Sequence, residues 1–120
     1  MSYDLAVWHA ETSMSVEQAL QTYLACCEGG PVPLLAPSEK LHLFVRDLGR
    51  EYPPIDDVPE EKLHRCPWSN AHGLGDGYVL INMTWSVWRI IRLERLIRKL
   101  ARKHGLHCYN PQTDKLHVPV

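Results

Sequence analysis

The sequence predicts an α+β domain, a small mixed β-sheet of about four strands with three helices packed on it. Three observations point to this class. Residues 4–9 and 78–85 are dense in apolar and β-branched side chains on both parities, the signature of buried strands. Three longer stretches, behind Ser15, Ser38 and Ser86, repeat apolar residues at helical spacing. The last 15 residues hold two short alternating runs around Asn110-Pro111, which is hairpin patterning. At 120 residues the chain fits a single domain, 1–120, able to bury a core without metal or disulfide.

The elements follow in order. In Asp4-Leu5-Ala6-Val7-Trp8-His9, Leu5 and Val7 alternate with Ala6 and Trp8, so both strand faces are apolar. Ser15 is the expected N-cap of the first helix, and Gln18 completes a capping box. Its expected inward stripe is Val16, Ala19, Leu20, Tyr23, Leu24 and Cys27, ended by Gly29-Gly30. Pro31, Pro33 and Pro37 make the next segment a connector. Ser38 opens the second helix, with Leu41, Phe44, Val45 and Leu48 inward and Tyr52-Pro53-Pro54 closing it. Residues 51–76 form a long acidic loop, which Ile55, Val58, Leu63 and Trp68 can anchor to the core. Gly73, Gly75 and Gly77 mark a turn before the strand at 78–85. Ser86 caps the longest helix, roughly 87–104, and Gly105 ends it. Ile90, Ile91, Leu93, Ile97, Leu100 and Ala101 are its expected core face. Strands at 106–109 and 115–118 complete the order β-α-α-β-α-β-β.

Composition excludes several classes. A hydrophobic content of 45% with 22% charged residues is globular, not disordered. The start of the chain lacks the basic and apolar regions of a signal peptide, and no apolar run approaches membrane-spanning length. Cys26, Cys27, Cys66 and Cys108 include no C-x-x-C pair, so free thiols in a reducing cytoplasm are expected.

The net charge of −1 hides two opposed regions. Residues 1–87 hold twelve acids against five Lys and Arg, whereas residues 88–104 hold seven Lys and Arg against one acid. Between Glu51 and Glu61 lie five carboxylates and no cation, interleaved with prolines. Glu51, Asp56, Asp57, Glu60 and Glu61 thus form a semi-rigid anionic surface suited to a basic protein partner, with Trp68 as its apolar anchor. The second surface is the outer face of the long helix. There Arg92, Arg95, Lys99 and Arg102 suit the phosphates of a nucleic acid, but aromatics and Asn or Gln to read bases are not expected on that face.

Catalytic and metal patterns are weaker. His64, Cys66, His72 and Cys108 fit no closed zinc spacing, so no metal or other cofactor is expected. Cys66 near His64 and Arg65 is the one thiol with a nearby base in sequence, and two residues of loop do not make a dyad. Gly73-Leu-Gly-Asp-Gly77 precedes a strand, whereas a phosphate loop leads into a helix. The expectation is a protein that is not an enzyme.

Three further motifs carry a resemblance: Tyr3-Asp4-Leu5-Ala6-Val7-Trp8, Cys66-Pro67-Trp68-Ser69, and His104-Gly105-Leu106 with Tyr109-Asn110-Pro111-Gln112. Together they span most of the chain, which resembles small bacterial immunity proteins of contact-dependent and other polymorphic toxin systems. That resemblance implies a cytoplasmic protein that binds a cognate toxin domain, such as a nuclease, and performs no chemistry. It implies no membrane partner and no small-molecule cofactor, with nucleic-acid binding by the basic helix as the alternative. The chain departs from the group at Asn110, where Asp is common, and so lacks one turn carboxylate.

Overall fold

The structure, a computed structural model, describes residues 2–119; Met1, where the reading for a signal peptide begins, lies outside them. Five antiparallel strands form one sheet: β1 (Tyr3–Trp8), β2 (Gly73–Gly75), β3 (Tyr78–Met83), β4 (His107–Asn110) and β5 (Lys115–His117). Their spatial order is β2-β3-β1-β4-β5. The helices are α1 (Val16–Glu28), α2 (Glu39–Glu51) and α3 (Val87–Lys103). The α+β class therefore holds, with a fifth strand and with every pairing antiparallel instead of mixed.

The added strand is β2, within the glycine segment expected to be a turn. Gly75 pairs with Tyr78 across a two-residue loop, Asp76-Gly77, a pairing that a D-G signal favours. A Cβ on Gly75 would lie 2.1 Å from Cζ of Tyr78, so the glycine leaves room for that ring to cover the sheet edge. Gly77 adopts φ +88°, and a Cβ there would lie 2.7 Å from the Ala36 carbonyl oxygen. Gly77 also accepts the His9 N–H through its carbonyl at 2.9 Å, joining the hairpin turn to the end of β1.

Strand β1 is the centre. It pairs with β3 along Tyr3–Trp8 and with β4 from Ala6 to Trp8. Leu5 and Val7 join the larger core beneath α2 and α3, with Phe44, Leu48, Ile81, Leu93 and Ile97. Ala6 and Trp8 join a smaller core beneath α1, with Ala19, Cys26, Tyr78 and Tyr109. The strand is buried on both faces, as its composition requires.

Both early helix starts form as read. The Ser15 hydroxyl accepts the Gln18 N–H and the Gln18 side chain accepts the Ser15 N–H, while Gly29 ends α1 in the left-handed region. Ser38 accepts the Lys40 N–H at the start of α2. Ser86 occupies the N-cap position of α3 without a side-chain capping bond.

The inward stripe of α1 differs from expectation. Ala19, Thr22 and Cys26 face the sheet, whereas Val16, Leu20, Leu24 and Cys27 are exposed. The cause is the bulk beneath: Trp8 and Tyr109 stack at 5.7 Å, and Tyr23 tilts onto Tyr109 at 5.7 Å. Large rings on the sheet demand small residues on the helix above them.

Gly77→Ala is expected to destabilise the fold by about 1–3 kcal/mol in urea denaturation, from a left-handed backbone and a blocked Cβ. Gly30→Ala, with open space around it, should change stability by less than about 0.5 kcal/mol.

Candidate functional site

Two charged surfaces flank the larger core, and each is built from the residues upward. The acidic segment begins where α2 ends, with the Tyr52 N–H donating to the Leu48 carbonyl at 2.9 Å. Prolines 54 and 59 each open a 3-10 turn, Ile55–Asp57 and Glu60–Arg65. Tyr52, Ile55 and Val58 pack on the core from this segment. Leu63, expected as a further anchor, is instead exposed. Glu51, Asp56, Asp57, Glu60 and Glu61 all face solvent. None of the five makes an ion pair among the described residues.

Trp68 is not the surface anchor expected of it. It is 2% exposed, and its indole N–H points to the carbonyls of Pro53 (3.1 Å) and Tyr52 (3.3 Å). A buried indole needs an acceptor, and the proline-rich exit from α2 supplies carbonyls free of helical bonding. The Tyr52 ring meets Trp68 edge-on at 6.3 Å and Trp85 at 5.4 Å. Trp68 also bridges to Met83, and the Ser69 N–H donates to Asn82, so the segment runs antiparallel along β3. The acidic turns are thus held from below by a buried tryptophan. Beside them lies a cleft of about 270 Å³ walled by Tyr52, Pro53, Val58, Pro59 and Pro67, with Asp57, Lys62 and Arg65 also lining it.

The basic surface is the outward face of α3. Arg92, Arg95, Lys99 and Arg102 are exposed there as expected, with Arg98 beside them. Among the described residues the basic helix forms no ion pair with the acidic turns. Its one ion-paired cation among the described residues is Lys103, 3.1 Å from Asp47 of α2. Asp47 is buried and also accepts from His104 Nε2 at 2.7 Å and from Arg46 at 3.2 Å. These hydrogen bonds, led by those from His104 and Lys103, hold its carboxyl well below the usual carboxylate range.

Trp88 overturns the expectation that tryptophans serve the core and that this face lacks aromatics. It is 76% exposed, with Val87 at 70% and Ile91 at 39% beside it. The numbering carried the signal: Trp88, Arg95 and Arg102 are seven residues apart and fall on one line of the helix. Trp85 points the other way, against the core, and carries the Arg89 guanidinium 5.0 Å above its ring.

The motifs behind the resemblance are mainly structural. Tyr3 donates to Glu94 of α3, and Asn110 Nδ2 donates to the Tyr3 oxygen (2.7 Å) and to Glu94 (3.3 Å). Asn110 Oδ1 accepts from the Gln112 backbone and side chain, and Gln112 bonds twice to the backbone of Asp4. The Asn110 side chain is therefore a buried donor to α3 as well as a turn acceptor. Burial, then the bond to Glu94, raises the Tyr3 phenol above its ordinary range.

The thiol and imidazole groups are dispersed. All four cysteines are free. Burial pushes the Cys26 and Cys108 thiols up to about 12, which suppresses the reactive thiolate. Cys66 is buried with its Sγ 4.0 Å from the Trp68 carbonyl oxygen, while His64 is exposed. His72 packs on Trp68 at 4.7 Å, and burial lowers its pKa. No group of three or more His, Cys, Asp or Glu gathers to hold a metal among the described residues. No helix among them is long and apolar enough to cross a membrane.

No family model, curated protein or solved structure matches this chain.

Asp47→Asn should lower the melting temperature by several degrees at pH 7. A depressed carboxyl contributes fully above its unfolded value near 4 and loses that contribution as pH falls toward its folded value. The gap between wild type and variant should therefore narrow below about pH 4 in thermal melts. Asn110→Asp removes the amide donor and sets a second carboxylate beside Glu94, so it should cost about 1–3 kcal/mol at neutral pH. Urea titrations should find that loss reduced near pH 4, where one carboxyl takes a proton.

Proposed function

We propose that this chain is a non-catalytic inhibitor of the immunity type, which neutralises a cognate toxin domain by covering it. The observation that carries the proposal is the presentation of the acidic segment. Five outward carboxylates form no ion pair among the described residues. Glu51 ends α2, and Asp56, Asp57, Glu60 and Glu61 sit on 3-10 turns tied to the core by Tyr52, Ile55, Val58 and the Trp68 hydrogen bonds. A loop that is merely solvated needs no such foundation. A preorganised anionic platform loses little entropy on docking and attracts a cationic surface from a distance, as on a nuclease whose groove binds nucleic acid.

Burial of Trp68 changes the apolar part of the contact. This surface offers a socket, the cleft beside Val58 and Pro59, into which an arginine or aromatic side chain of the toxin would fit. Asp57, the one acid among the described residues lining that cleft, would accept from a guanidinium, with the opposite charges of Lys62 and Arg65 at its rim. Asp56, Glu60 and Glu61 on the same turns would extend the anionic surface. Localisation follows the same proposal: an inhibitor of this kind acts in the cytoplasm of the cell that makes it.

The test is co-expression with the product encoded immediately upstream of this gene, which should be toxic when expressed alone. Growth should be restored by the wild-type chain, and the purified pair should associate at a rate that falls steeply with salt. Asp56→Lys with Asp57→Lys should slow association by roughly tenfold or more at low salt and flatten the salt dependence. Unchanged kinetics would place the interface elsewhere, and toxicity without rescue would remove the inhibitor reading.

A further inference from the structure

The outer face of α3 borders a groove closed on its other side by β5, an edge strand of the sheet. The groove is about 510 Å³, rimmed by Arg95, Arg98, Lys99 and Arg102, with Leu106 and Leu116 among its apolar lining. None of these four cations forms an ion pair among the described residues. The one acid on α3, Glu94, is hydrogen-bonded to Tyr3 and Asn110 and does not line the groove. His117 lines the β5 side, where burial and then the Arg98 charge lower its pKa.

We propose that this groove, with Trp88 two turns upstream on the same helix face, is a binding site for single-stranded nucleic acid. From Trp88 to Arg102 the face runs about 21 Å along the helix axis, room for several nucleotides. Three guanidinium forks and one ammonium match phosphate oxygens along such a track. Trp88, with its ring in solvent and Val87 and Ile91 beside it, is a stacking platform for an unpaired base.

Three features select a single strand over other polyanions. Stacking on an indole needs a base already out of its helix. The exposed face has no Asn or Gln to read base edges from a major groove. A peptide of acidic residues alone would use the cations but leave the indole in water. A lipid surface would need a long apolar helix face. Of the apolar residues of α3, only Val87, Trp88 and Ile91 at its start are exposed, while Leu93, Ile97, Leu100 and Ala101 lie in the core. The site adjoins the acidic segment where Lys99 and Glu51 line one cleft, and it does not rest on the inhibitor reading.

Fluorescence anisotropy of a labelled 15-nucleotide single strand, with the full chain at 50 and 200 mM salt, is the test. Four phosphate contacts predict a log–log salt slope of about −3, hence a loss of affinity of about fiftyfold across that range. Trp88→Ala should weaken binding roughly tenfold without flattening the slope, since it removes stacking and no charge. Arg98→Gln with Arg102→Gln should reduce the slope by about 1.4 and leave the binding-linked quenching of Trp88 in place. These side chains are exposed, and an unchanged circular dichroism spectrum checks that each variant is folded. The proposal is overturned if the strand does not bind, or if Trp88→Ala binds like wild type. It is equally overturned if an oligoglutamate of the same charge, a duplex, or anionic phosphatidylserine vesicles bind as tightly as the strand.

Discussion

The position of β1 organises everything else in this molecule. Its backbone is hydrogen-bonded on both edges, and its side chains are buried on both faces. A segment with no solvent-facing side must be apolar at every interior position, and Leu5-Ala6-Val7-Trp8 meets that demand. The polar residues of the strand fall at its beginning, where Tyr3 reaches α3 and Asp4 accepts from Asn82 at 2.6 Å. The same strand thereby sets the core and the polar network at its rim.

The two layers on this sheet do different work. Beneath α2 and α3 lies the larger core, and both charged surfaces are mounted on that side. The Asp47 cluster ties the two helices together where they would otherwise meet only through apolar side chains. It also takes Lys103 out of the basic surface and leaves the remaining outward cations open to solvent. The α1 layer is thinner, with small side chains over aromatic rings and a leucine ridge left in water.

Much of this was legible in the sequence, and the failures have physical causes. Strand β1, the Ser15–Gln18 capping box and the polar face of α3 follow from local rules that no tertiary contact overrides. The stripe of α1 does not, because helical periodicity cannot tell which of two adjacent apolar faces turns inward. The bulk of Trp8 and Tyr109, supplied by distant strands, makes that choice. The edge strand β2 was hidden by its glycines, whose missing side chains make space for the Tyr78 ring. The tryptophans exchanged roles for similar reasons. Trp68 sits in a loop but finds buried carbonyl acceptors, whereas Trp88 sits in an amphipathic helix yet on its polar side. The five acidic positions and the four basic ones are exposed as read, since an ionised side chain stays in water unless a buried partner compensates it.

The pairing of β1 also bears on how the chain reaches its fold. Its partners are β3 and β4, so the middle of the sheet joins residues 3–8 to residues 78–83 and 107–110. On the ribosome, β1 emerges before either of its neighbours. Until they follow, an apolar segment lacks its edges, and the helices that follow it have no sheet to cover. Closing loops of this length is slow compared with helix formation, so the sheet assembles late and as a unit. The nascent chain thus carries this apolar segment unpaired until β3 and β4 have emerged, a vulnerability that makes chaperone contact with it advantageous.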